Sequence, residues 1–219
     1  MAELADAADL KSAGEILVGS SPSPGTRLGV NMPWLIIVVA YFLGSIPTAY
    51  IAGRLLQGRD IREMGDGNAG AANAFRELGP RTGILVGIID AAKGALAILI
   101  GEAADIPQPT LLAVGVAAVV GHNWPFFLHF RGGRGESTTI GILLVLITQP
   151  MLIMAVPALA TLVISRNVVL ASAVLFILLP IVCWWLKVPG VLVSYAVGLA
   201  CLVGITHFFR TRGTIPRPT

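Results

Sequence analysis

From Trp34 onward, long apolar stretches follow one another with only short polar intervals, and this succession restricts the fold more than any other feature. A helix needs about 20 apolar residues to cross a bilayer core of roughly 30 Å, fewer where it is short or partly shielded. Of 219 residues, 55% are hydrophobic and only 12% charged, and the mean hydropathy is +0.82. An ordinary soluble domain is roughly a quarter charged. The expected fold is all-α, a polytopic integral membrane protein with about seven transmembrane helices whose standing partner is the lipid bilayer.

Seven apolar segments can be drawn, at 34–56, 83–103, 109–123, 137–149, 150–165, 168–187 and 190–209. The fourth and fifth are short and meet at Thr148-Gln149-Pro150, so a six-span count, with these two merged, is the alternative. Charge placement favours seven, because Lys and Arg gather on the cytoplasmic side of a membrane. With the N-terminus outside, that side holds Arg54, Arg59, Arg62, Arg76, Arg81, Arg131, Arg134, Arg166, Arg210, Arg212 and Arg217, eleven in all. The outside keeps three, Lys11, Arg27 and Lys187, while Lys93 falls within a span. Merging the two short segments would scatter this asymmetry.

Residues 1–33 read differently, with acidic residues among alanines and then Ser20 to Gly25 as SSPSPG, which predicts a mobile tail ahead of a membrane domain over 34–219. Its acidic start is not that of a cleaved signal peptide. Cys183 and Cys201 lie inside apolar runs without acidic or histidine neighbours, so both are expected to pack rather than to bind metal or react. The net charge of +3 records topology, since the basic residues flank spans and have no aromatic stacking platform for nucleic acid.

Both polar, glycine-rich segments fall on the cytoplasmic side of this topology. In Gly65-Asp66-Gly67-Asn68-Ala69-Gly70-Ala71-Ala72-Asn73, small residues let the backbone approach a ligand and gather successive N–H groups into an anion-binding concavity. A helix start after Gly70, the amides of Asn68 and Asn73 and the charges of Arg62 and Arg76 would strengthen it. A flexible turn between spans explains the composition equally well. The second segment, Arg131-Gly132-Gly133-Arg134-Gly135 followed by Ser137 and Thr138, is again small, basic and rich in hydroxyls. Two such loops on one face favour a phosphate-bearing ligand. Asp90 and Lys93 at helical spacing and His122 at a span's end mark a polar interior, although the first two could form a self-satisfied pair.

These motifs together resemble the bacterial acyl-phosphate:glycerol-3-phosphate acyltransferases of the PlsY type. The resemblance runs from Leu43 to Ser172 through Gly44-Ser45-Ile46-Pro47, Asp60-Ile61-Arg62, Gly67-Asn68-Ala69-Gly70-Ala71, Asn73, Arg76, Asp90, Lys93-Gly94, Gly121-His122-Asn123-Trp124, Phe130, Gly132-Gly133, Gly135 and Thr138. It implies a seven-helix enzyme of the bacterial plasma (inner) membrane with its site at the cytoplasmic surface. Such an enzyme moves a fatty acyl group from acyl phosphate to the 1-hydroxyl of glycerol 3-phosphate, giving lysophosphatidic acid and phosphate. Acyl phosphate is a mixed anhydride, so no covalent enzyme intermediate, cofactor or metal is expected. The protein has chiefly to hold two anions and stabilise developing charge.

By this resemblance the catalytic set is Asp66, Asn68, Asn73, His122 and Arg134. Substrate binding falls to Ser45, Arg62, Gly67, Gly70, Ala71, Arg76, Lys93, Gly132, Gly133, Gly135, Ser137, Thr138, His207 and Arg210. The family pattern has Ser, Thr, Lys and Asn where this chain has Asp66, Ala72, Arg134 and Arg210. Asp66 is the most consequential departure, because a carboxylate beside two phosphates is repulsive unless it pairs or accepts a proton. An ion pair between Asp66 and Arg210 across the pocket is expected, and a different phosphorylated acceptor stays open. A non-enzymatic anion transporter or binding protein is the rival class, but it should carry midspan charge, and 140–165 and 168–186 carry none there.

Overall fold

In a computed structural model, residues 32–212 are described, with side chains to Arg210; all of the expected tail but Met32 and Pro33, and the C-terminal Arg217, lie outside them. Among the described residues there is no strand, and nine α-helices follow in order, with short 3-10 turns at Ile61–Glu63 and Phe126–Leu128. They are α1 (Pro33–Gly44), α2 (Thr48–Gln57), α3 (Ala71–Glu77), α4 (Pro80–Ala103), α5 (Gln108–Asn123), α6 (Glu136–Leu146), α7 (Thr148–Ser165), α8 (Val168–Trp185) and α9 (Gly190–Arg212). Helices satisfy their own backbone groups, the requirement that lipid imposes.

Among the described residues, six stretches are long and apolar enough to span a membrane: Pro33–Gln57, Pro80–Ala103, Gln108–Leu128, Thr148–Ser165, Val168–Trp185 and Gly190–Arg210. The seventh apolar helix, α6, has 11 residues, a rise of about 16 Å. The expected fourth and fifth segments are thus separate helices, broken at Ile147, and Pro150 is accommodated in the first turn of α7 where it displaces no hydrogen bond.

The first apolar segment differs from the single helix its composition suggests. Pro47 has no N–H to donate, α1 stops at Gly44, and α2 restarts at Thr48. The break exposes the carbonyl of Ile46 to the interior, and Ser45 turns its hydroxyl back to donate to the Tyr41 carbonyl at 2.8 Å.

Large outward side chains such as Ile164, Val156 and Trp184 face where lipid would lie. They contribute nothing to association between helices, so close backbone contact has to do so. A methyl on Gly44 would collide with the Ala118 carbonyl, and one on Gly121 with that of Tyr41; these two glycines let α1 lie against α5. Gly94 against Thr138 and Gly141 against Ala91 do the same for α4 and α6. These four helices frame one end of the bundle, and both glycine-rich loops close over it.

Candidate active site

The first loop is tied down by its own side chains. Asp60 accepts the Arg62 N–H at 3.0 Å and pairs with its guanidinium at 2.6 Å, while Arg62 Nη1 donates to the Leu128 carbonyl of the second loop at 3.0 Å. Hydrogen bonding from that guanidinium holds the Asp60 carboxyl below its usual range, against the opposing effect of burial. Asn73 is fully buried; its amide donates to the carbonyls of Ile61 and Met64, and its Oδ1 accepts from the Asp66 N–H. Asn73 therefore shapes this loop and lines neither of the two cavities described below. The turn brings Asp66, Gly67 and Asn68 to the surface of a pocket, with Asn68 donating its N–H to Asp66 Oδ1 at 3.2 Å.

The second loop doubles back on the end of α5. Gly132 donates its N–H to the Asn123 carbonyl at 3.2 Å, and Gly133 donates to that of His122 at 3.0 Å. There is no room for side chains here: a methyl on Gly132 would strike the His122 carbonyl and the Pro125 ring, and one on Gly133 the His122 imidazole. Gly135, with φ of +80°, then launches α6.

The loops meet at Asp66. Its Oδ2 lies 2.8 Å from Arg76 Nη2 and 3.1 Å from Arg134 Nη2, so one carboxylate oxygen joins α3 to the second loop. Arg210, reaching in from α9, donates instead to the carbonyls of Gly132 and Asn123. The expected Asp66–Arg210 ion pair does not form, because each residue has partners closer at hand. His207, one turn earlier on α9, lies within electrostatic reach of Arg134 and Asp66. The resulting cavity, about 370 Å³, is lined by Arg62, Asp66, Gly67, Asn68, Phe130, Arg131, Gly132, Arg134 and Arg210.

Beneath it lies a cleft of about 10 Å³, with room for roughly one water, among Ser45, Lys93, His122, Gly132 and Gly133. Asp90 and Lys93 pair here at 2.9 Å, but not in isolation. Asp90 also accepts from the Thr48 hydroxyl at 3.0 Å, and Lys93 donates to the Ile46 carbonyl at 3.0 Å. The charge pair thereby holds both sides of the α1–α2 break. His122 Nδ1 stands 3.7 Å from the same Asp90 oxygen.

Of the residues singled out from sequence, Ser45, Arg62, Asp66, Gly67, Asn68, Lys93, His122, Gly132, Gly133, Arg134 and Arg210 line one or both cavities, and Gly132 belongs to both. Arg76 joins through Asp66. Gly70 heads α3 and Ala71 starts it, Ser137 faces Gly87 on α4, and Thr138 is buried against Gly94, so these frame the site. Thr48 and the carbonyl of Asn123 were not singled out. The hydroxyl after a proline break was the available signal for the first; nothing in a sequence marks the second. Among the described residues no three His, Cys, Asp or Glu side chains gather to hold a metal ion.

Chemically, such a cavity can hold phosphate groups against arginines and backbone N–H groups. Residues 34–217 match the protein family described as glycerol-3-phosphate acyltransferase. Glycerol-3-phosphate acyltransferase 4 of Dehalococcoides mccartyi is 49% identical over 181 residues, covering 83% of this chain and 98% of that protein. Glycerol-3-phosphate acyltransferase of Chlorobaculum tepidum is 44% identical over 158 residues, covering 67% of this chain and 68% of the relative. The crystal structure of PlsY, an integral membrane glycerol 3-phosphate acyltransferase, in its glycerol 3-phosphate form, superposes with a TM-score of 0.74 at 30% identity, covering 82% of this chain and 90% of that one. With residue motifs, fold and pocket in agreement, the chain belongs to the glycerol-3-phosphate acyltransferase family.

Proposed function

We propose that this protein transfers a fatty acyl group from acyl phosphate to the 1-hydroxyl of glycerol 3-phosphate, giving lysophosphatidic acid and phosphate. The cavity carries this reading: Arg62, Arg131, Arg134 and Arg210 converge on it from three parts of the chain, and neither cysteine lines it. The acceptor hydroxyl attacks the acyl carbon, the bond from that carbon to the phosphate oxygen breaks, and the hydroxyl proton is accounted for in the hydrogen phosphate released. Arg134 and Arg210 offset the charge gathering on the leaving phosphate. Asn68 Oδ1, buried at the cavity and without a hydrogen-bond partner, orients the attacking hydroxyl by accepting from it. The acyl chain lies against apolar helices. His122, Lys93 and Ser45 support the site from the cleft below.

Purified protein given palmitoyl phosphate and glycerol 3-phosphate should release phosphate and form lysophosphatidic acid in equal amounts. The Cys183→Ala/Cys201→Ala variant should keep its activity within about twofold, as direct transfer needs no thiol. An acylated protein trapped by mass spectrometry, or no acceptor-dependent phosphate release, would show that this reading is wrong.

The protein acts in the plasma membrane of a bacterium, with its site facing the cytoplasm and its N-terminus outside; the arginine asymmetry supports this orientation. In the cysteine-free background, Arg81→Cys should react with an impermeant maleimide only after the cells are permeabilised. Labelling in intact cells would invert the topology.

A further inference from the structure

Asp66 stands where the family pattern has a serine, and its carboxylate does what a bound phosphate oxygen would do. A single oxygen receives Nη2 of Arg76 and Nη2 of Arg134, two cations from different segments of the chain. Guanidinium groups recognise carboxylate and phosphate through the same planar donors. Asp66 is also the one acidic residue lining the cavity. Two of the other three arginines there are engaged differently: Arg62 pairs with Asp60, while Arg210 rests on uncharged carbonyls. Arg134 is not fully satisfied, since its buried Nε lacks a partner. The Asp66 side chain is 30% exposed and that of Arg76 49%, so the pair stands at the cavity's edge in contact with water.

We propose that Asp66 is a built-in anion that fills the phosphate position between Arg76 and Arg134 in the free protein, so that a phosphorylated ligand binds by displacing a carboxylate. This rests on the reading of the cavity as a phosphate site. It makes Asp66 a determinant of affinity rather than a proton acceptor, and it sets the working concentration of the acceptor higher than a serine would.

Isothermal titration of the full chain in nanodiscs with inorganic phosphate tests the idea. Asp66→Asn keeps an oxygen for the Asn68 N–H and removes only the charge; Asp66→Ser restores the family residue and decides the matter if the first variant does not fold. Phosphate should bind at least fivefold more tightly to either variant than to the unsubstituted protein, and adding Arg134→Gln should abolish that gain. A smaller gain, or weaker binding, overturns the proposal and makes Asp66 a strut joining the two loops. Acyl transfer by the unsubstituted protein, assayed in parallel, is judged separately: its failure would remove the enzymatic reading while the phosphate comparison still decides whether Asp66 occupies an anion position.

Discussion

Gly132→Ala is expected to lower the rate of acyl transfer by about 100-fold or more while leaving the bundle folded. The added methyl would strike the His122 carbonyl and the Pro125 ring, neither of which is the free end of a flexible side chain. The loop has to move instead, and three features move with it. Its N–H leaves the Asn123 carbonyl, its own carbonyl shifts under the Arg210 guanidinium, and the wall shared by the two cavities is displaced. A misplacement of about 1 Å in a positioned site costs on the order of 100-fold. Phosphate release at saturating palmitoyl phosphate reads the loss, and a melting temperature within a few degrees of the parent shows that the fold survives. Activity within tenfold of the parent would mean that this backbone does not hold the reacting groups.

Lys93→Met should destabilise the protein by about 3–5 kcal/mol, the cost typical of removing one partner from a buried ion pair. Asp90 would be left with the Thr48 hydroxyl and the His122 ring 3.7 Å away, in a site where its side chain is 2% exposed. The Ile46 carbonyl would lose the ammonium and keep only the Thr48 N–H at 3.1 Å, so the α1–α2 break loses its tie to α4. Lys93→Met/Asp90→Asn removes both charges and should recover much of that stability, because the stranded carboxylate is the larger part of the penalty. Unfolding in mixed micelles of increasing denaturing detergent measures both variants. A loss in the double variant equal to the sum of the losses in Lys93→Met alone and Asp90→Asn alone would show that the pair is not coupled.

The apolar segments were legible because a bilayer imposes length and hydropathy on each helix separately, with no reference to its neighbours. The break at Ser45-Ile46-Pro47 was less so: hydropathy averages smoothly over it, and only the proline reports it. Both site loops were visible for a local reason, the clustering of Gly, Asn and Arg. What stayed hidden was pairing over long separations. Asp66 meets Arg134 across 68 positions, and Arg210 donates to backbone carbonyls, acceptors that every residue type carries. Composition predicts that a carboxylate in a basic pocket finds a partner; the partner's identity follows only from how α3, α9 and the two loops converge. At Asn73 composition could not show that the amide's three hydrogen bonds go to the loop itself, because an amide in a glycine-rich loop suggests ligand contact as readily.

Three cations of the site lean on main-chain oxygens: Arg62 on Leu128, Lys93 on Ile46 and Arg210 on Asn123 and Gly132. A peptide carbonyl cannot be deleted by a codon change, and it takes up no proton across the range of pH in which cells live. Selection therefore has no direct hold on these anchors. It can reach them only through the residues that bend the chain, such as Pro47, Gly132 and Gly133.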